Sequence, residues 1–142
     1  MSFKERCFHA LLFEILVIIF SVIGLSVFTN HGAGELSGTM VAVCTIATVW
    51  NLVFNRVFDM WFTAPREQRG VLMRIMHTLL FEGGLLFITT PVIAWILSVS
   101  LWQALVMDIG VTLFVTVYTF FFNWIYDNVR LHFVHYSLNR PV

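Results

Sequence analysis

The sequence predicts an all-α membrane protein of four transmembrane helices, built as two parallel-repeat helix pairs. Composition is the first reason. Of 142 residues, 59% are hydrophobic and 11% charged, with a mean hydropathy of +0.87. A soluble domain of this size needs far more charge to cover its surface. The second reason is segment length. Four apolar runs each reach the roughly 20 residues that a helix needs to cross the hydrocarbon layer. The third is repetition: RCFHALLFE at 6–14 returns as RIMHTLLFE at 74–82. The length suits one membrane domain, residues 1–142, with repeat one at 1–68 and repeat two at 69–142.

The first span is expected at about 8–28. Lys4 and Arg6 precede it as in a signal peptide, but the run is longer than a signal core. It also carries Glu14, and no small-x-small cleavage site follows, so it should stay in the mature chain. The second span is expected at about 39–62, the third at 75–99 and the fourth at 102–126. Helices are required because backbone facing lipid must satisfy its own hydrogen bonds, and the alternating pattern of a barrel is absent. The tail 128–142 reads equally as an interfacial helix or as an extension of the fourth span. Cys7 and Cys44 fall near opposite faces of the bilayer and should both be free thiols.

The basic residues are Lys4, Arg6, Arg56, Arg66, Arg69, Arg74, Arg130 and Arg140. They lie at the two ends of the chain and around the connection between spans two and three. The connections at 29–38 and 98–103 have none. The positive-inside rule then puts both termini in the cytoplasm. Arg6 and Arg74 should anchor their helices to anionic headgroups there. Trp61 and Trp124 would sit at that interface, and Trp95 and Trp102 at the outer one.

A shift of 68 positions superposes the two halves without a gap. Arg6 meets Arg74, His9 meets His77, Phe13 meets Phe81 and Glu14 meets Glu82. Further along, Trp50 meets Tyr118, Phe54 meets Phe122, Asn55 meets Asn123 and Asp59 meets Asp127. Two spans per unit give both copies the same orientation, related by a pseudo-two-fold axis along the membrane normal. The copies also differ. Ile15 and Leu16 become Gly83 and Gly84, Ile23 becomes Pro91, and Asn51 becomes Thr119. Gly83, Gly84 and Pro91 allow either close helix packing or a hinge.

RCFHALLFE, RIMHTLLFE, WNLVFNRVFD and YTFFFNWIYD resemble the four signature motifs of the proteobacterial antimicrobial compound efflux (PACE) family, whose members carry a tandem bacterial transmembrane pair domain. The resemblance spans essentially the whole chain, one motif per helix. It implies a proton-coupled exporter (antiporter) in the bacterial inner membrane. The substrates it implies are cationic biocides such as chlorhexidine, with short diamines as native substrates of some members. The family's functional glutamate maps onto Glu14, and Glu82 is a second candidate through the repeat.

The residues themselves fit that chemistry. Glu14 would lie about 9 Å inside its span, where an ionised carboxylate is costly and an ionisable group is functional by default. A carboxyl there holds a proton or an organic cation, and not easily both. Helix-to-helix hydrogen bonding is the bland alternative, and the sequence leaves the Glu14–Glu82 separation open. His9 and His77 are either proton relays or ordinary interfacial histidines. Asn51, Asn55 and Asp59 share one helix face, as do Thr119, Asn123 and Asp127. Such stripes either guide a cation or hold helices together. The aspartates are expected to be solvated or to pair with Arg56, Arg74 or Arg130. Trp50 and Tyr118, near mid-membrane, offer aromatic faces to a cation or serve in packing. Asp108 has no acidic counterpart, since Met40 stands at the matching place. It is either an exit-side proton site or an interfacial residue.

Four helices leave little internal room for a drug-sized ligand, so a path between protomers of a homodimer, or along the lipid face, is expected. Net charge is zero, which gives no reason to expect a nucleic-acid partner. No zinc spacing, phosphate-binding loop or nucleophile motif is present, so no metal, cofactor or enzymatic activity is expected. The alternatives to an antiporter are a passive cation channel and a non-transporting membrane scaffold.

Overall fold

The computed structural model describes residues 2–138, and the side chains of all of these except 66 and 134–138. Four long helices follow one another: α1 (Phe3–Phe28), α2 (Ala33–Trp61), α3 (Val71–Leu97) and α4 (Leu101–Leu138), with one 3-10 turn at Arg66–Gln68 between α2 and α3. All four are long and apolar enough to cross a membrane. Each packs on its chain neighbours, and α4 closes the ring on α1.

Every helix runs beyond its expected span. α1 begins at Phe3 because Ser2 and Glu5 form a reciprocal cap: Glu5 N–H donates to Ser2 Oγ and Ser2 N–H to Glu5 Oε2, both at 3.2 Å. α2 begins six residues early, at Ala33, so the first connection is only 29–32. α4 begins at Leu101 behind a second reciprocal cap, in which Gln103 N–H donates to Ser100 Oγ at 3.2 Å and Ser100 N–H to Gln103 Oε1 at 3.3 Å. That S-x-x-Q pattern is legible in sequence, and it shortens the second connection to 98–100. Ser98 takes the left-handed conformation (φ 52°) that ends α3. The tail resolves as an extension of α4 through Leu138, while Arg140 lies outside the described residues. α3 runs unbroken through Pro91.

The core is concentrated toward the end with the short connections, here called the hairpin end. Val22, Leu36, Met40, Val43, Ile93, Leu97 and Ala104 interlock there. At the opposite, basic end two ion pairs tie neighbouring helices. Arg130 Nε donates to Glu5 Oε1, joining α4 to α1. Arg69 Nη2 donates to Asp59 Oδ1 at 2.7 Å and to Phe62 O at 2.9 Å, closing the α2–α3 connection. Among the described residues Asp59 pairs with Arg69, which was not one of the arginines expected, because the 3-10 turn folds that residue back over the end of α2. Most large apolar side chains face outward, as lipid requires: Phe87 and Trp95 are each 83% exposed. Cys7 and Cys44 are free thiols.

Gly84 has a specific packing role. A Cβ added there would lie 2.4 Å from Trp50 Cζ2, while one at Gly83 would meet nothing within 4 Å. The Trp50 indole N–H donates to Phe81 O at 3.0 Å, so the ring lies across the α3 backbone. This is close packing of a large ring on a small residue. Gly84→Ala should displace Trp50 and cost about 1–3 kcal/mol, as overpacking does, and Gly83→Ala should be silent. Thermal unfolding of the purified protein in detergent checks both; equal melting points for the two variants would refute the packing role.

Candidate functional site

The two motif glutamates sit at the turns where the repeats touch. In α4, Tyr118 O–H donates to Phe13 O at 3.3 Å; in α2, Trp50 N–H donates to Phe81 O at 3.0 Å. Phe13 directly precedes Glu14, and Phe81 directly precedes Glu82. An aromatic donor from one repeat thus fixes the turn that carries the glutamate of the other, twice over. Trp50 and Tyr118, candidates for stacking on a cation, have their polar atoms committed to these braces. Their rings remain half-buried.

Glu14 is half-buried and opens on a groove of about 280 Å³ between α1 and α2, lined by Ile18, Val41, Cys44, Thr45 and Thr48. Val41, Thr45 and Thr48 are exposed, so the groove lies on the outer face of the bundle. Cys44 lines the same groove as Glu14. Among the described residues no lysine or arginine pairs with Glu14. Glu82 is also half-buried.

The histidines repeat one another in packing and differ in polarity. His9 meets the rings of Phe122 and Tyr126 at centroid distances of 5.2 and 4.4 Å. His77 meets the equivalent Phe54 and Phe58 at 5.1 and 4.6 Å. Only His77 extends into a polar chain: its Nε2–H donates to Asn55 Oδ1 at 3.2 Å, and Asn55 Nδ2 donates to Asn51 Oδ1 at 2.6 Å. Among the described residues no such bond links His9 to Asn123, which is exposed, as is Asp127. The stripe on α2 therefore acts across to α3, and that on α4 does not repeat it.

At the basic end, Asn55, Glu67, Arg69, Arg74, His77 and Thr78 line an open cleft of about 380 Å³. Arg69 covers Asp59, so this mouth is not a simple acidic funnel. Arg74 is exposed and donates to Arg69 O at 3.3 Å; Arg6 is exposed.

Asp108 is not an interfacial residue. It is 3% exposed, deep between helices, and contacts Thr89 and Thr90. Sequence reading missed these threonines and the place of Cys44 in the Glu14 groove. One signal was present: Thr90 and Asp108 are equidistant from Val99, so an antiparallel hairpin turning there brings them to one level. Among the described residues no group of three or more metal-binding side chains occurs.

The chain matches the family model described as chlorhexidine efflux transporter twice in tandem, over residues 1–64 and 69–132. It is 39% identical over 130 residues to a short-chain diamines transporter of Vibrio parahaemolyticus, covering 92% of this chain and 93% of that protein. It is also 39% identical over 128 residues to one of Acinetobacter baylyi, covering 89% and 90%, and 36% identical over 128 residues to one of Acinetobacter baumannii, covering 89% and 88%. No solved structure matches it. Tandem helix pairs, four spans and these relatives together make the protein a multi-pass transporter of the bacterial inner membrane, and not an enzyme. It belongs to the chlorhexidine efflux transporter family, the PACE family.

Proposed function

We propose that the protein exports small organic cations in exchange for protons, with short diamines and chlorhexidine-like biocides as substrates, and that Glu14 is the exchanging group. One observation carries this reading: a carboxyl inside a membrane helix, with no cationic partner among the described residues, opening on a groove of about 280 Å³. Burying a lone carboxylate in such a place is costly. A proton removes that cost, and so does an ammonium group. The two occupants compete for one carboxylate, and competition across two sides of a membrane is antiport. The substrate names of the relatives agree, since a diamine is a small dication.

The basic end is assigned to the cytoplasm by its arginines. The groove faces away from the bundle axis, so lipid or a second copy of the chain supplies its remaining wall. This supports a substrate path at a homodimer interface. The passive-channel reading has no observation in its favour: at the level of Asp108 the space between the four helices is only about 10 Å³.

Glu82 is assigned a supporting part. It does not line the groove on which Glu14 opens. His77, Asn55 and Asn51 form a hydrogen-bonded run that can carry a proton's polarisation from α3 to α2.

In proteoliposomes, an imposed diamine gradient should drive proton movement in wild type. Glu14→Gln should reduce it to the level of empty vesicles, with the protein still folded. Glu82→Gln should slow it and leave a measurable rate. Substrate flux without proton movement in wild type would refute antiport.

Tyr118→Phe should keep the ring and lose the bond to Phe13 O, at a cost of about 0.5–1.5 kcal/mol. The Glu14 turn would then be less firmly held. Diamine titrations should show weaker binding to Tyr118→Phe, and unaltered binding would show that the brace serves stability alone.

A further inference from the structure

Asp108 lies outside all four repeated motifs, and the matching place in repeat one is Met40. Its Oδ2 is 2.5 Å from Thr89 Oγ1 and 3.1 Å from Thr90 Oγ1. Both threonines are buried, Thr89 completely. Thr89 Oγ1 is also 2.8 Å from Leu85 O. A hydroxyl has one proton to give, and a carbonyl can only accept. If Thr89 donates to Leu85 O, its contact with Asp108 needs a proton from the carboxyl. A neutral acid satisfies every contact: Asp108 O–H donates to Thr89, and Thr90 O–H donates to Asp108. An ionised Asp108 instead takes the Thr89 proton and leaves Leu85 O with its backbone partner alone. The two patterns differ by one proton.

The surroundings favour this exchange. Among the described residues no lysine, arginine or histidine pairs with Asp108. A cavity of about 10 Å³ adjoins it, lined by Leu25 of α1, Thr39, Met40 and Val43 of α2, Ile93 of α3 and Met107 of α4. That is about the space for one water. None of those residues is ionisable. The titratable side chain nearest to Thr89 along α3 is Glu82, two helical turns away. Repeat one lacks the carboxyl, and Ser21, which matches Thr89, is left buried with its hydroxyl unpartnered.

We propose that Asp108, seated on Thr89 and Thr90, is a second proton-binding site of the transporter, lying on the hairpin-end side of the motif glutamates. Its place in the transport cycle rests on the proton-exchange reading of Glu14; its proton occupancy does not. In the cycle one proton leaves Asp108 Oδ2, which becomes a carboxylate accepting from both threonines. The proton passes to an ionised Glu82, which becomes neutral, and Asp108 is refilled by a proton from water at the hairpin end. The pair carries one negative charge before and after the transfer, and becomes neutral when Asp108 is refilled.

The test uses the full-length protein in liposomes, with two readouts. Infrared spectroscopy follows the carbonyl band of a protonated acid as pH is raised, and a proton-sensitive dye follows flux driven by a diamine gradient. Asp108→Asn preserves both threonine contacts and holds no exchangeable acid. It should remove one titrating acid band and slow proton flux about tenfold or more, with diamine binding retained. An unchanged band, or proton flux at the wild-type rate, overturns the proposal. If Asp108→Asn fails to fold, Thr89→Val keeps the carboxyl and should alter the pH at which the band titrates; an unaltered titration overturns the site. Absence of proton flux in wild type overturns the exchange reading alone, and the Asp108 band then decides whether the site exists.

Discussion

Two hydrogen bonds from aromatic side chains to main-chain carbonyls organise this bundle: Tyr118 to Phe13 and Trp50 to Phe81. Within lipid there is no general hydrophobic force to press one helix on another. Packing and polar contacts between helices must do that work. A carbonyl has a second lone pair even when its own helix uses the first, so a neighbour can bond to it without unwinding anything. Placing that bond one residue before each glutamate fixes the rotation of the turn that presents the carboxyl. A helix turned by one residue would rotate Glu14 by about 100°, away from its groove and from Cys44.

Duplication produced the two braces, and divergence made them unequal. On α3 the residue two positions after the glutamate is Gly84, so Trp50 reaches the backbone. On α1 it is Leu16, and the smaller Tyr118 makes a longer bond, 3.3 Å against 3.0 Å. The α2–α3 seam is the firmer and also carries the His77–Asn55–Asn51 run. Glu14 sits on the looser seam. Asp108 stands where repeat one has Met40, and Ser21, which matches Thr89, is buried with its hydroxyl unpartnered. One repeat thus carries the open carboxyl and the other the sealed one. A strictly symmetric pair would present two identical sites, with nothing to distinguish a substrate step from a proton step.

Much of this was legible in the chain. Span number and the repeat followed from hydropathy and a constant shift, because membrane helices have one simple length rule and a gapless duplication keeps register. Helices run past the expected span ends where hydropathy gives no signal, as at α1, which the Ser2–Glu5 cap starts at Phe3. The glutamates stood out because a charge in an apolar run is rare. Asp108 stood out equally, yet its meaning did not, since its partners are threonines on another helix and threonine is common in membrane spans. The asparagine stripes show the converse: the shared face was readable, but only the fold decides that α2's stripe meets a histidine while Asn123 faces outward.

A final step concerns charge balance inside the span region. Glu14, Glu82 and Asp108 are three acidic groups, and among the described residues no basic side chain pairs with any of them. Arg130, Arg69 and Arg74 are spent at the basic end, on Glu5, Asp59 and main-chain carbonyls. A soluble protein would neutralise buried carboxyls with internal cations. Leaving these three without internal cations makes mobile ones the neutralising agents. Protons and ammonium groups are the mobile cations that a carboxyl can bind by hydrogen bonds. A dication such as a diamine can neutralise two carboxyls at once, whereas each proton neutralises one. On the proposed exchange reading, Asp108, sealed by threonines beside a cavity of about 10 Å³, is the carboxyl kept for protons, and Glu14 is the one open to either.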